Sequence, residues 1–371
     1  MKPFVPEALP LALTKWETLL PAIGRANRAV AEYSGVLYGV PNPEILLAPL
    51  TTQEAVLSSK IEGTRATLGE VLEFEAGFEP PLVERRLDIQ EILNYRQALR
   101  VAEEDLKHRP FSLNLLKKLH AILLDGVRGR NKRRGEFRRE QNWIGSEGTP
   151  LERADFVPPD PATVPDLLDQ WEKYYHREEE PDPLVQLAIV HAQFEIIHPF
   201  LDGNGRLGRI LIPLFLMEKG LLNRPMFYLS SYLEEHREEY VSRLRALGRT
   251  EGCWHDWITF FLRAIIDQAS SNVKKARDIM DLYERLKGRV RELTHSQFAI
   301  PLLDLLFESP MIRPSRLAGR PGMPSQPMIS HLLGRLKKSK ILKVHQEGRG
   351  RRGEILVFPE LMNLCEGRKV F

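Results

Sequence analysis

The sequence predicts a mainly α-helical protein, and three observations carry that expectation. Apolar residues recur with a period of about 3.6 in stretch after stretch. Few runs alternate apolar and polar residues, and only the segment after about Ser296 changes character, to short helices followed by a basic pair of strands. With 371 residues, 43% hydrophobic and 28% charged, the chain has the make-up of an ordinary globular protein with two or three domains.

The first region, 1–107, carries helical patterns over 16–33, 52–62, 68–74 and 87–106. Thr51 to Glu54 reads as a capping box for the second of these, and Gly63 as its stop. The second region, 108–290, opens with an amphipathic helix over 112–124. Residues 128–161 are too rich in Gly, Pro and charge for a helix, and QNWIG and RADFV within them read as two short strands of a β-hairpin. Helices resume over 163–176, 183–197, 207–219, 234–247 and 254–286. The third region, 291–371, reads as helix, helix, helix and wing: QFAIPLLDLLFES, PSRLAGR, SQPMISHLLGRLKKSKIL and VHQEGRGRRGEILVF, the order of a winged helix-turn-helix domain.

Charge sharpens that division. From Met311 onward there are 13 Lys and Arg against 4 Asp and Glu, whereas the preceding 310 residues carry a net −6. The basic excess therefore points to an anionic partner for the last region alone, with duplex DNA the candidate; His331, Arg335, Lys337 and Lys338 would lie on its recognition helix and Arg349, Arg351 and Arg352 in its wing. A protein-interaction or dimerisation module of the same fold is the other reading. Cys253 and Cys365 are far apart and outside any CxxC, so both read as reduced packing residues. The opening residues lack a secretory pattern and no segment has the length and apolarity of a membrane span, so a cytoplasmic protein with no membrane partner is expected.

The chemistry concentrates in HPFLDGNGRLGR, residues 198–209, between two strongly apolar helices. Gly203, Gly205 and Gly208 let the backbone approach an anion closely, and N–H groups at a turn feeding a helix N-terminus form an anion-binding concavity. Arg206 and Arg209 add forked cationic donors, and Asp202 supplies the hard oxygen that Mg²⁺ prefers. His198, with an ordinary pKa of about 6.5, is a candidate general base beside a bound phosphate. No strand precedes the glycines and no GxxxxGK[ST] occurs, which argues against a dinucleotide fold and a P-loop. Phosphate-binding geometry alone leaves open whether AMP or the terminal phosphoryl group is transferred.

HPFLDGNGRLGR resembles the Fic signature HPFx[D/E]GNGRxxR at every specified position. That resemblance implies a helical Fic core that moves AMP from ATP, with Mg²⁺, to a Ser, Thr or Tyr hydroxyl of a protein target. By position, His198 would deprotonate the hydroxyl, Asp202 would hold the metal, Gly203, Asn204 and Gly205 would cradle the phosphates, and Arg206 and Arg209 would clamp them. SSKIEG, Ser58 to Gly63, resembles the family's inhibitory-helix pattern [S/T]xxxE[G/N], and Ser58 and Glu62 share one helical face. Glu62 would then pair with Arg209 and take the place of the γ-phosphate. Residues 138–159 resemble the flap that aligns the target chain, with Ile144 and Gly145 as docking positions. Tyr240 falls where relatives carry a Tyr pair against the nucleotide base, although Val241 replaces the second. The resemblance also leaves room for self-modification, for a homodimer, for AMP removal at the same site, and for a DNA-binding regulator whose core senses nucleotide with little catalysis. His191 and Glu195 match no metalloprotease motif, so His191 reads as a core residue, as do Trp254 and Trp257. The Arg and Lys cluster from Arg128 to Arg139 reads as a solvated face that could attract an acidic target.

Overall fold

The computed structural model describes residues 2–13, 15–127, 132–145, 150–247, 253–348 and 353–371. The expected wing residues Arg349, Arg351 and Arg352, the first four residues of the Arg128–Arg139 cluster and the turn of the expected hairpin lie outside them. The described chain is mainly helical and forms two compact units. One comprises Met1–Ser34, Leu57–Gly63 and Leu93–Ser270; the other comprises Gly35–Val56, Thr64–Ile92 and Ser271–Phe371.

The first unit is built around the helices Pro183–Ile197 and Asn204–Glu218, which pack on each other. Only Pro183 and Glu195 of the former escape full burial. Such a helix is apolar on every side because protein surrounds it, and its flanking helix Val164–His176 covers one face. Its start is written locally: Asp182 accepts hydrogen bonds from the N–H groups of Leu184 (2.9 Å) and Val185 (3.0 Å), and Pro183 fills the first position, where no N–H is needed. Two tryptophans bind its carbonyls, Trp171 Nε1 to Val190 (2.9 Å) and Trp257 Nε1 to Ala188 (2.8 Å). Trp254 and Trp257 are both buried.

In the second unit, Ala299–Glu308 precedes the strand Met311–Ile312, the helix Gln326–Lys338 and the strands Lys343–Gln346 and Ile355–Val357, after which Pro359–Glu366 is helical. Ile355–Val357 is the central strand, antiparallel to both others, with Met311 opposite Val357 and Val344 opposite Leu356. PSRLAGR does not form the expected full helix: it makes one 3₁₀ turn, Pro314–Arg316, because Gly319 and Gly322 at positive φ turn the chain away from helical geometry. Neither the strand Met311–Ile312 nor the last helix is apparent in the sequence pattern.

Two further local expectations change. The box over Thr51 to Glu54 does not cap a helix, since the helix runs Ala48–Ile61 and Thr52 Oγ1 donates back to the Ala48 carbonyl (3.1 Å). Pro49 in the first turn already suits the earlier start. A reciprocal box forms instead one helix later, at Thr67 and Glu70 of Leu68–Glu75. The helix expected over 234–247 is two, Ser230–Glu235 and Arg237–Ala246, broken at His236, whose ring stacks on Tyr232 at 4.0 Å.

Candidate active site

The site is the link between the two central helices of the first unit. Pro183–Ile197 ends at His198, which takes a left-handed conformation (φ 48°, ψ 58°) that is costly for a residue with a Cβ. Surrounding bonds hold it there. The buried guanidinium of Arg138 donates to the carbonyls of His198 (2.9 Å), Pro159 (2.6 Å) and Ile197 (3.3 Å). His120 stacks on Phe200 at 3.8 Å and accepts from the Gly135 N–H at Nδ1 (2.9 Å), so its Nε2–H donates to the Asp202 carbonyl (3.0 Å). Asn204 closes the loop from the other end, accepting from the Phe200 N–H (2.9 Å) and donating to the Phe200 carbonyl (2.8 Å). Gly203, at φ 79°, turns the chain into the next helix, which therefore begins at Asn204 rather than at Leu207 as expected.

The loop borders a cleft of about 630 Å³, lined among the described residues by His198, Asp202, Gly205 and Arg209, by Glu62 and Gly63, and by Ile144, Gly145 and Tyr240. The wall does not include Gly203, Asn204, Arg206 or Gly208. Gly208 lies where the central helices pack, and a Cβ there would collide with Glu195 Oε1. The Asn204 side chain is spent on the loop itself. Arg206 is 4% exposed, 3.5 Å from Asp202 Oδ1.

Burial pulls the His198 imidazole down to about 4, so it is neutral at neutral pH. Its Nδ1 lies 3.3 Å from the Glu195 carbonyl, which can only accept, so Nδ1 carries the proton and Nε2 keeps a lone pair. Burial likewise lowers His120 to about 4 and His191 to about 3. His191 is a core residue, bonding the Gly208 carbonyl (3.2 Å) and the Tyr240 hydroxyl (2.9 Å). Tyr240 thus reaches the cleft with its hydroxyl already committed. Burial raises the Glu195 carboxyl to about 7 despite the opposing pull of Arg209.

Ser58, Glu62 and Gly63 come to the same place. Arg209, fully buried, donates from Nε to Ser58 Oγ (2.8 Å) and from Nη2 to the Ser58 carbonyl (2.8 Å) and Glu62 Oε1 (2.7 Å). Burial opposes ionisation of Glu62, but the adjacent Arg209 outweighs it and holds the carboxyl below its ordinary range. The same carboxylate lies against Gly205, where a Cβ would collide with it. A carboxylate therefore already lies in the concavity at Gly205. Arg237 donates to the Ile61 carbonyl (3.0 Å), satisfying the end of the helix that precedes Glu62.

Across the cleft, Ile144 and Phe156 form an antiparallel bridge, with N–H to O distances of 2.8 and 3.2 Å. The backbone of Gly145, next in the chain, consequently points away from Phe156. His120, Arg138 and Arg237 carry no motif. Arg138 belongs to the cluster read as a solvated face, yet it is 2% exposed.

Residues 20–104 match the model described as Fic/DOC family N-terminal, and residues 110–216 the one described as Fic/DOC family. A probable protein adenylyltransferase of Aquifex aeolicus is 42% identical over 92 residues, 25% of this chain and 26% of the relative. The protein adenylyltransferase Fic of Drosophila virilis is 30% identical over 169 residues, 43% of this chain and 31% of the relative. The chain thus matches only about a quarter to a third of the length of these curated relatives. Among solved structures, a Fic family protein of Desulfovibrio desulfuricans shares the fold with a TM-score of 0.58 at 20% identity, covering 96% of this chain and 98% of that one. A Fic domain containing signaling protein of Bacteroides thetaiotaomicron gives 0.54 at 18% identity, over 68% and 97%.

Proposed function

The chain belongs to the Fic/DOC family, and from that premise we propose that it is a protein adenylyltransferase, moving AMP from ATP to a Ser, Thr or Tyr hydroxyl of a protein and held inactive by Glu62. One observation carries the reading: a carboxylate, Glu62, sits in the Gly205 concavity on Arg209, in a cleft that the neutral His198 also lines. The cavity is built for an anion, and its present anion is the protein's own.

With Glu62 withdrawn, Gly205 and Arg209 receive the phosphates, and Arg206 adds positive charge from behind the loop. His198 Nε2 takes the proton of the target hydroxyl, whose oxygen bonds the α-phosphorus while the bond to the β-phosphate bridge breaks and pyrophosphate leaves. Asp202 suits Mg²⁺: its side chain is 40% exposed beside the cradle, and one carboxylate completed by phosphates and water is that ion's habit. Bound there, Mg²⁺ would offset phosphate charge. Main-chain pairing along the Gly145 edge would align the target, the hairpin 138–159 acting as flap. Tyr240, Val241 and Leu244 offer an apolar wall for the base.

Incubation with ATP labelled at the α-phosphate tests the transfer. Label should appear on protein and vanish with His198→Ala; label arriving only from the γ-phosphate would overturn the choice of AMP.

We read 291–371 as a winged helix on the order Ala299–Glu308, Gln326–Lys338 and the antiparallel strands, and exposed Lys338, Lys340 and Lys343 favour a nucleic-acid role for it. Regions 1–107 and 108–290 are its helical regulatory and catalytic companions.

A further inference from the structure

The second strand of the bridge has neighbours on both sides. Phe156 pairs with Ile144 on one edge, so the next residue, Val157, directs its carbonyl to the opposite edge. There it accepts the N–H of Phe4 at 2.9 Å. The Phe4 ring packs on the Phe156 ring, centroids 5.5 Å apart and tilted 51°, and Phe156 itself lines the cleft. Residues 2–13 contain no helix, and a second fastening holds them down: Glu7 accepts Trp254 Nε1 (2.9 Å) on its carboxylate and Gln193 Nε2 (3.0 Å) on its carbonyl. Trp254 and Gln193 are themselves buried and belong to the same unit, so this anchor rests on core side chains where the bridge is only one residue pair wide.

An isolated two-stranded ribbon is marginal in water, and each unpaired edge invites pairing with the wrong chain. Closing one edge addresses both problems. We propose that the 2–7 segment braces the flap along its far edge through Phe4, leaving the Gly145 edge as the one open to a target, so that Phe4 is a positioning residue for target docking and not for nucleotide. The docking consequence rests on the adenylyltransferase reading; the brace itself does not.

Amide hydrogen exchange of the full-length chain separates the two. Phe4→Ala should speed exchange at Ile144, Asp155 and Phe156 by about tenfold or more, with Asn204–Glu218 unchanged and Phe4→Tyr restoring the rates. Unchanged exchange at those three amides would overturn the brace. In the Glu62→Gly enzyme, with a His198→Ala copy of the chain as acceptor, Phe4→Ala should raise the KM for the acceptor about fivefold and leave that for ATP within about twofold. An equal rise in both would contradict a positioning role. Absence of label from every variant would count against AMP transfer, while the exchange rates would still decide the brace.

Discussion

The His198 imidazole is neutral because it is buried, and its free nitrogen is Nε2 because a carbonyl takes the proton on Nδ1. An imidazole of this kind keeps its lone pair well below the pH where an exposed histidine loses it. Transfer of AMP should therefore hold level as pH falls through about 6.5 and fail only near pH 4 to 5, as measured by initial rates in the Glu62→Gly enzyme. A profile breaking near 6.5 would contradict a buried, neutral base. His198→Ala should cost about 10²-fold or more in rate while ATP binding, followed by calorimetry, persists. The sequence makes His198, Asp202 and Arg209 legible because chemistry forces their types and spacing. It hides His120 and Arg138, whose roles come from partners 60 to 82 residues away.

Helix Ala48–Ile61 and the turn after it deliver Ser58 and Glu62 to one guanidinium. The i,i+4 spacing suits two side chains that reach one partner, but SSKIEG is readable without a structure only through its resemblance to the family's inhibitory pattern. Where the helix begins is not, because Pro49 and the Thr51 to Glu54 box offer rival starts. Arg237, which no motif marks, fastens the helix end through the Ile61 carbonyl. Removing that bond should loosen the turn that holds Glu62 without touching Glu62 itself. Arg237→Ala is expected to raise self-labelling severalfold, less than Glu62→Gly does; no increase would place the restraint elsewhere. Ser58→Ala removes the acceptor of Arg209 Nε in a buried site and should lower the unfolding free energy by about 1–3 kcal/mol in denaturant titrations.

Over the whole molecule, buried histidines make stability depend on pH. His120 and His191 have folded pKa values of about 4 and 3, below the 6.5 of an unfolded histidine. Between those limits the unfolded chain binds protons that the folded one does not, so stability is kept above pH 6.5 and lost as pH falls. Each should contribute a slope of about 1.4 kcal/mol per pH unit there, visible as a falling midpoint in urea. Periodicity predicted the mainly helical class, whereas the two central helices, buried on all sides, read as near-continuous apolar runs long enough to be helical. It carries no information on which segments cluster, such as 57–63 with 93–270 and 64–92 with 271–371, because those contacts join residues far apart in sequence. Nor does it place the Glu62 carboxylate on Arg209 and against Gly205, where we propose that it holds the enzyme off. The most direct test of that point is incorporation of α-labelled AMP into protein by the unaltered chain and by Glu62→Gly at equal concentration. A carboxylate occupying the cradle predicts a rate at least about tenfold higher for the variant, abolished again by adding His198→Ala; equal rates for the unaltered chain and Glu62→Gly would contradict it.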